Sequence, residues 1–381
     1  MNDTNPDEKN HSGAFGEEPW PRQPLEELLA SLPELPLGNL GEFLEGASRW
    51  VDRALPRYIP RGEPAEYLYD LAWDYPTRGG KRFRPALLLL CCALAGGDSR
   101  RALPSALALE LFQNFALVHD DIEDNSWVRR GKMALHRQHG IPLALNAGDL
   151  LFSLVHEALL DNAGLLGAGP ALRVMREFSL VFRMTFEGQA MDIGWIVGNH
   201  LPDREGFEAM IRRKTGWYSG RGPCQLGALI GGASPEMQGV LGDFGEALGI
   251  GFQLRDDLLN LTEDSAKAAP EGMGGGYGKE RGGDIAEGKR TLIVLEMMER
   301  LPPDQGHRLR EILIRPGAEN TPGEIEWVIG KAAETGALDA VRARCRELGE
   351  KAAQHLERLP AGPHRDLLAG LTRYLVEERA A

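Results

Sequence analysis

The segment "ALPSALALELFQNFALVHDDIED", residues 102–124, joins a long apolar pattern to a cluster of acids. Leucine, alanine and phenylalanine recur at every third or fourth position, which predicts a long helix that begins after Pro104. Side chains four residues apart share one face of a helix, so Asp120 and Asp124 are expected to project together, with Asp121 rotated by about 100°. The segment therefore predicts a buried helix whose last turns present paired carboxylates.

Two carboxylates on one helix face repel each other unless a cation lies between them. A hard divalent ion that prefers oxygen ligands, such as Mg²⁺, is the natural partner for such a pair. The alternative is a solvated acidic helix end, and this motif alone is compatible with both.

A second acidic pair follows another long apolar pattern, in "FQLRDDLLNL", residues 252–261. Asp256 and Asn260 again stand four positions apart, with Asp257 beside them. Carboxylates near the apolar ends of two helices are costly to bury unless they are neutralised. If the two helices face each other across a bundle, their acids would form a metal cluster inside an apolar cavity.

Composition narrows the class of protein. The chain has 381 residues, of which 43% are hydrophobic and 26% charged, as in ordinary soluble globular proteins. The net charge of −13 argues against a general nucleic-acid binder, which would need a basic face.

The four cysteines form no CxxC pair, so we expect buried thiols in a reducing, cytoplasmic environment. We expect no signal peptide, and the apolar run at residues 85–97 is too short to span a bilayer.

The chain divides into an arm and one domain. Residues 1–38 are polar, acidic and rich in proline and glycine, and we expect a disordered or loosely docked arm there. Residues 39–381 show helical periodicity almost throughout, with no run that is typical of strands. The sequence therefore predicts a single all-α domain after the arm.

Basic residues stand near both acidic motifs and in two further places. Each of them alone is compatible with an ordinary solvated surface. Arginine and lysine that converge on Mg²⁺ are what the binding of a polyanionic phosphate requires. The candidates are Arg129 and Arg130 after the first motif, Lys279 and Lys289 after the second, Lys214 in "RRKTGW", and Lys81, Arg82 and Arg84 in "GGKRFRP".

In this order the motifs resemble those of the trans-isoprenyl diphosphate synthases, the polyprenyl synthetase family. The likeness runs from about Gly79 to Thr291 through "GGKRFRP", "DDIED", "RRG", "EGQAMDI", "KT", "FQLRDDLLN" and "GKERGGDIAEGK", where "DDIED" is similar to the family's DDxxD motif. It implies an isoprenoid-synthase-type helical bundle around a deep central cavity, closest to the short-chain geranylgeranyl and farnesyl diphosphate synthases. It also implies a homodimer that condenses isopentenyl diphosphate, head to tail, with an allylic diphosphate (dimethylallyl, geranyl or farnesyl).

The resemblance also implies roles for single residues. The implied ligands of Mg²⁺, with three ions per active site, are Asp120, Asp124 and Asp256. The implied catalytic set adds Asp121, Asp257, Arg129 and Lys214. Contacts to the allylic substrate are implied for Arg129, Lys214, Thr215, Gln253, Lys279 and Lys289. Contacts to isopentenyl diphosphate are implied for Lys81, Arg84, Gln113 and Arg130.

Three departures from the family pattern bear on these roles. Asn260 stands where many relatives have a third aspartate, and its amide oxygen can still bind a metal or orient a water molecule. Gln113 stands where several relatives have histidine, and either residue can donate to a phosphate. The segment "GWYSGRGPC", residues 216–224, is rich in glycine, and its Pro223 is expected to kink the helix. Its larger residues, which can reshape the cavity or its mouth, are Trp217, Tyr218 and Arg221.

Two other functions would use related residues. A terpene cyclase of the same fold also ionises a diphosphate with Mg²⁺, but it has no need of the isopentenyl diphosphate site that "GGKRFRP", Gln113 and Arg130 imply. A non-catalytic subunit of a heteromeric synthase would be expected to lose acidic ligands, whereas "DDIED" is intact. Chain elongation is therefore the favoured function.

Product length is expected to depend on side chains upstream of Asp120. Phe115 lies five residues before it, about 7.5 Å along a helix, and the neighbouring Ala116 is small. A bulky ring beside a small residue favours a floor of intermediate depth and a twenty-carbon product, geranylgeranyl diphosphate, with fifteen carbons as the alternative. If Phe115 instead packs into the interhelical core, the remaining candidates are Phe112, Trp217 and Tyr218.

Overall fold

The computed structural model describes residues 22–262, 281–315 and 319–378. These residues are almost wholly helical, so the all-α class is confirmed; the strands among them form one short antiparallel hairpin of β1 (Val128–Arg129) and β2 (Lys132–Met133). The helices are α1 (Leu25–Ala30), α2 (Leu40–Ala54), α3 (Asp70–Thr77), α4 (Phe83–Leu94), α5 (Leu103–Glu123), α6 (Leu135–His139), α7 (Ile141–Leu160), α8 (Asn162–Leu166), α9 (Ala168–Val197), α10 (Arg204–Ile211), α11 (Gly222–Ile230), α12 (Pro235–Thr262), α13 (Gly283–Ala286), α14 (Leu292–Arg300), α15 (Pro303–Ile314), α16 (Pro322–Glu334), α17 (Ala337–Glu357) and α18 (Pro363–Thr372). Short 3₁₀ turns lie at Leu55–Arg57 and Ser99–Ala102, and π-helical segments lie at Ala65–Tyr69, Arg212–Arg221 and Arg373–Glu378.

Helix α5 lies at the centre of the protein because it is apolar on nearly every side. Such a helix has to be buried, and every residue from Leu103 to Phe115 is buried. Pro104 stands in the first turn, where its missing N–H donor costs nothing. The helix packs against α4 and α7. Its acidic last turns are therefore held inside the protein by the apolar turns before them.

The chain from α10 through α11 is one continuous helix whose middle, Arg212–Arg221, has π-helical geometry. These wide turns end directly before Pro223, which stands in the first turn of α11 and has no N–H to donate. Stretches of π-helix are frequent at functional sites. The π-helical geometry thus lies beside Pro223, where the sequence predicts a kink in the helix.

Helix α12 packs against this π-helical segment and against α17. Two glycines form the closest approach, because a Cβ built on Gly220 would overlap the Gly245 carbonyl, and one built on Gly245 would overlap the Gly220 carbonyl. The two backbones can come this close only because neither glycine has a side chain. This contact brings the segment that contains Lys214 alongside the helix that contains Asp256.

Part of the predicted arm is docked on the domain. Residues 1–21 lie outside the described residues. In α1, Leu28 and Leu29 are buried against the core, and the Trp50 indole N–H donates to the Pro33 carbonyl at 3.1 Å. A domain that begins at residue 39 stays a prediction.

One helical stretch, Ile141–Leu166, is long and apolar enough to cross a membrane by length and composition. The sequence reading overlooked it because polar residues such as Asn146, Asp149 and His156 interrupt the apolar run. In the most apolar part of this stretch, 44% is buried inside the protein. The core helix of a soluble protein can be equally long and apolar. The absence of a membrane span therefore stays a prediction.

We expect Gly220→Ala to lower the free energy of unfolding by about 1–3 kcal/mol, because the methyl group would overlap the Gly245 carbonyl. Gly239→Ala on α12 is the control, since its methyl group would meet no atom within 4 Å. Helix propensity should make that variant more stable by up to about 1 kcal/mol. Equilibrium unfolding in urea measures both values, and equal effects would contradict the close contact.

Candidate active site

A cavity lies where the acidic ends of α5 and α12 meet. Asp120 of α5 and Asp256 and Asp257 of α12 all line it. The other polar lining residues include Glu123, Arg129, Gln189, Asp192, Lys214, Thr215, Gln253, Asp284, Lys289, Arg290 and Thr291. The apolar lining residues include Phe112, Phe115, Ala116, Leu117, Phe186, Phe207, Met210, Ile211 and Tyr218. The structure thus brings both acidic motifs, distant in sequence, to one cavity with aromatic walls.

Asp120 is surrounded by groups from separate parts of the chain. Its carboxylate lies 3.3 Å from the Arg129 guanidinium, 3.4 Å from the Gln189 amide and 3.9 Å from the Lys214 ammonium. Lys214 also lies 2.6 Å from Asp192 on α9. Burial opposes the charge of Lys214, but Asp192 and Asp120 outweigh it and raise the lysine pKa. Lys214 therefore stays protonated beside Asp120.

Asp121 does not line the cavity, in keeping with its rotation of about 100° from Asp120. Its fully buried carboxylate accepts hydrogen bonds from the Tyr75 hydroxyl and from the Arg129 guanidinium, whose Nε lies 2.9 Å away. Burial opposes the charge of Arg129, but Asp121 and Asp120 outweigh it and raise the arginine pKa. In this geometry Asp121 holds Arg129 in place.

Lys289 connects the first acidic motif to the segment after α12. Its ammonium lies 2.8 Å from Asp124, 3.0 Å from Glu287 and 3.7 Å from Asp284. Burial raises the pKa of Asp124 to about 6, although Lys289 opposes that shift. Lys279, the other lysine implied after the second motif, lies outside the described residues.

Asp257 is the most strongly perturbed acid of the second motif. Burial raises its pKa to about 8, and Asp284 and Asp256 add to this shift because like charges repel. The Gln253 amide opposes it by donating to Asp257 at 2.9 Å, and it accepts from the Thr215 hydroxyl at 3.2 Å. Asp257 is therefore a buried acid whose charge a bound cation would stabilise.

The acids that line the cavity fit a cation whose remaining ligands come from a substrate. Within residues 22–262, 281–315 and 319–378, no three His, Cys, Asp or Glu side chains form a ready metal cage. Mg²⁺ is commonly held by one or two carboxylates together with substrate phosphates. Asn260, offered as a further ligand, is fully buried, and its side-chain oxygen accepts the Asp284 backbone N–H at 3.2 Å. The residues present fit a metal that arrives with a diphosphate.

The sequence reading assigned no role to several polar side chains in the site. Gln189 and Asp192 stand three residues apart on α9 and contact Asp120 and Lys214, respectively. Gly188 permits this approach, because a Cβ there would overlap the Lys214 backbone. The sequence contains a signal for these two residues. In "EGQAMDI" they form a polar pair at helical spacing, and a glycine stands beside the first of them. The acids Asp284 and Glu287, which contact Lys289, were missed as well.

Lys81, Arg84, Gln113 and Arg130, implied for isopentenyl diphosphate, are not among the described residues that line the cavity. The Lys81 ammonium contacts the Tyr374 hydroxyl and lies 4.7 Å from the centre of its ring. The Gln113 amide is buried, and its oxygen has no hydrogen-bond partner in the described part of the chain. An unpartnered buried acceptor is costly, so this oxygen is available to a hydrogen-bond donor and not to an anion.

Arg130 lies in a region with more cations than acids. It donates to the Tyr75 carbonyl at 3.0 Å. Burial lowers the pKa of Arg130 to about 10, and Glu110 opposes the shift. Arg82 and Arg84 add to it because like charges repel. A surplus of buried positive charge is favourable for an anion.

Phe115 and Ala116 both line the cavity. The centre of the Phe115 ring lies 4.9 Å from that of Phe152 and 6.0 Å from that of Phe186. The ring is thus part of an aromatic cluster in which Phe186 also lines the cavity, whereas Phe152 is not among the described lining residues.

Three comparisons with known proteins agree with this geometry. A family model described as polyprenyl synthetase matches residues 65–330. The geranylgeranyl pyrophosphate synthase of Geoglobus acetivorans is 35% identical over 341 residues, which make up 89% of this chain and 99% of that protein. The crystal structure of geranylgeranyl pyrophosphate synthetase from Pyrococcus horikoshii Ot3 has a TM-score of 0.77 and 31% identity, and the match covers 92% of this chain and 98% of that one.

A further solved structure is of geranylgeranyl pyrophosphate synthase from Corynebacterium glutamicum, complexed with isoprenyl diphosphate and magnesium. It has a TM-score of 0.75 and 26% identity, and the match covers 94% of this chain and all 100% of that one. The family model spans more than half of this chain, and the Geoglobus relative is matched over nearly its whole length. The chain therefore belongs to the polyprenyl synthetase family and is a prenyltransferase of the isoprenyl diphosphate synthase class.

Proposed function

We propose that this protein condenses isopentenyl diphosphate head to tail with an allylic diphosphate and releases geranylgeranyl diphosphate. The main supporting observation is that Asp120 of the first motif and Asp256 and Asp257 of the second meet the cations Arg129, Lys214 and Lys289 in one cavity with aromatic walls. Acids of this kind bind a hard metal ion, cations bind a diphosphate, and apolar walls accept a prenyl chain. The name of the Geoglobus relative supports a twenty-carbon product.

We assign the metal site to Asp120, Asp124 and Asp256, with three Mg²⁺ ions as the proposed number. Magnesium and isoprenyl diphosphate in the Corynebacterium structure support magnesium as the metal. When bound, the ions would draw electron density from the leaving diphosphate and so stabilise the charge that develops on it.

The protein's own cations would complete the diphosphate site. Arg129, Lys214 and Lys289 are each held by carboxylates before any ligand arrives, so little reorganisation is needed during ionisation. The aromatic walls would keep water from the allylic cation. The isopentenyl double bond then attacks, and the released diphosphate accepts the proton, so no protein residue acts as base.

The second substrate would bind where Lys81, Arg84, Gln113 and Arg130 lie. The lowered pKa of Arg130 favours a bound anion there, because an anion would stabilise the buried charge of the guanidinium. These residues are not among the described residues that line the cavity, so the two diphosphates would be held by separate sets of cations.

We also propose that the protein forms a homodimer. Helices α7 and α9 expose large apolar side chains, including Ile141, Leu145, Leu160, Leu172 and Phe186. Exposed apolar patches of this kind mark surfaces that bind other proteins. A second copy of the chain would cover them.

Asp120→Ala and Asp124→Ala are each expected to lower kcat/KM by roughly 10³-fold at saturating Mg²⁺, because each removes a carboxylate that neutralises the diphosphate with metal. Asp339→Ala, whose side chain is 80% exposed, is the control and should keep full activity. Circular dichroism checks that each variant is folded. Near-native turnover of either site variant would contradict the role of that carboxylate.

Arg84→Ala should raise the KM for isopentenyl diphosphate about tenfold and leave the KM for the allylic substrate within about twofold. Lys214→Ala should raise the KM for the allylic substrate or depress kcat, because Lys214 lines the cavity and Arg84 does not. Steady-state kinetics with each substrate varied in turn measures the difference. Equal effects of both variants on both substrates would argue against two separate sites.

Purified protein with Mg²⁺, labelled isopentenyl diphosphate and each allylic diphosphate in turn should give a twenty-carbon product on chromatography. Phe115→Ala should lengthen it by at least one five-carbon unit, because this ring lines the cavity. The Phe152 ring packs against Phe115 and should limit the gain. An unchanged product from an active, folded variant would exclude Phe115 as the floor.

A further inference from the structure

Two hydroxyl groups hold the guanidinium of Arg84. Its Nη2 lies 2.9 Å from the Tyr218 hydroxyl, and its Nε and Nη2 lie 3.0 and 2.8 Å from the Ser219 hydroxyl. The guanidinium carbon also lies 4.4 Å from the centre of the Tyr218 ring, within range of a cation–π interaction. Both residues come from the π-helical segment that departs from the family pattern.

Tyr218 reaches the prenyl cavity as well. It lines that cavity, and its ring meets the Phe112 ring edge-on at a centroid distance of 5.9 Å. One side chain therefore contacts both the aromatic wall of the cavity and the cation that lies outside it.

The close packing of the backbone fixes this placement. Ser219 is completely buried, and Gly220 beside it touches the backbone of α12 at Gly245. The segment cannot move away from α12 or turn without losing this contact. The hydroxyl groups of Tyr218 and Ser219 are therefore presented to Arg84 by a rigid part of the fold.

The partners of Arg84 differ in charge from those of the other site cations. Lys214, Lys289 and Arg129 each contact at least one carboxylate. Among the residues that the structure describes, Arg84 forms no ion pair, and its hydrogen-bond partners are neutral hydroxyls. Neutral acceptors restrict the side chain but do not cancel its charge, so the full charge remains for an incoming anion.

We propose that Tyr218, assisted by Ser219, is a positioning residue that orients Arg84 for the diphosphate of isopentenyl diphosphate. The inference rests on the proposed role of Arg84 at that site. An arginine side chain has considerable rotamer freedom, which a ligand would otherwise have to restrict. The two hydroxyls restrict it in advance, so the charge is held in one position for the diphosphate.

The test is a comparison of Tyr218→Phe, Ser219→Ala and their combination in the complete protein. Tyr218→Phe keeps the ring and removes the hydroxyl, so the KM for isopentenyl diphosphate should rise about three- to tenfold. The kcat, the KM for the allylic substrate and the product length should stay within twofold. Tyr67→Phe, at a tyrosine that is 59% exposed, is the matched control and should change none of these values.

A double-mutant cycle with Arg84→Ala shows whether Tyr218 acts through Arg84. In the Arg84→Ala background, Tyr218→Phe should have no further effect on the KM for isopentenyl diphosphate. A persistent effect would mean that the hydroxyl contacts substrate directly, and it would overturn the positioning role.

The outcomes also separate this inference from the proposed function. An unchanged KM in Tyr218→Phe, with a raised KM in Arg84→Ala, would overturn only the inference. An unchanged KM for isopentenyl diphosphate in Arg84→Ala would overturn the assigned role of Arg84 and the inference together. Absence of any condensation by the unmodified protein would overturn the proposed function itself.

Discussion

Charge that is buried beside an apolar cavity has to be compensated, and this requirement organises the site. Lys289 lies between Asp124 at the end of α5 and the acids that follow α12. Lys214 in the π-helical segment lies against Asp192 of α9. Each ion pair joins two elements that are distant in sequence. The same contacts therefore position the helices around the cavity and prepare the cations for a ligand.

The compensation of buried charge is incomplete at two places, for a carboxylate at one and for a guanidinium at the other. Burial raises the pKa of Asp257 to about 8, with Asp284 and Asp256 adding to the shift, and this favours a bound metal. Burial lowers the pKa of Arg130 to about 10, with Arg82 and Arg84 adding to the shift, and this favours a bound anion. Two substrates that both contain a diphosphate could thus be told apart: one would bind with a metal and the other directly to arginine and lysine.

Much of the fold was accessible from sequence periodicity. The apolar residues of α5 and α12 recur at helical spacing, and the burial of every residue from Leu103 to Phe115 requires a position of α5 inside a bundle. The rotation between Asp120 and Asp121 followed from helix geometry alone, and the structure places only Asp120 in the cavity lining. The apolar stretch Ile141–Leu166 was overlooked because scattered polar residues divide it in the sequence.

Other features depend on contacts between distant segments. Asn260 was a candidate metal ligand, but its amide accepts the backbone N–H of Asp284, a residue 24 positions later. The pairing of Lys214 with Asp192 depends on Gly188, and the approach of Tyr218 and Ser219 to Arg84 depends on the crossing of Gly220 and Gly245. The position of a glycine in the sequence does not predict which other backbone segment will pack against it.

The sequence by itself determined the helical class, the helices that end in paired acids and the family, because each depends on residue types at short, regular spacing. Only the tertiary structure decided which cation pairs with which acid, where Asp121 points and what holds Arg84. Those outcomes depend on how distant backbones pack, and a difference of a few ångströms in that packing changes which side chains can meet.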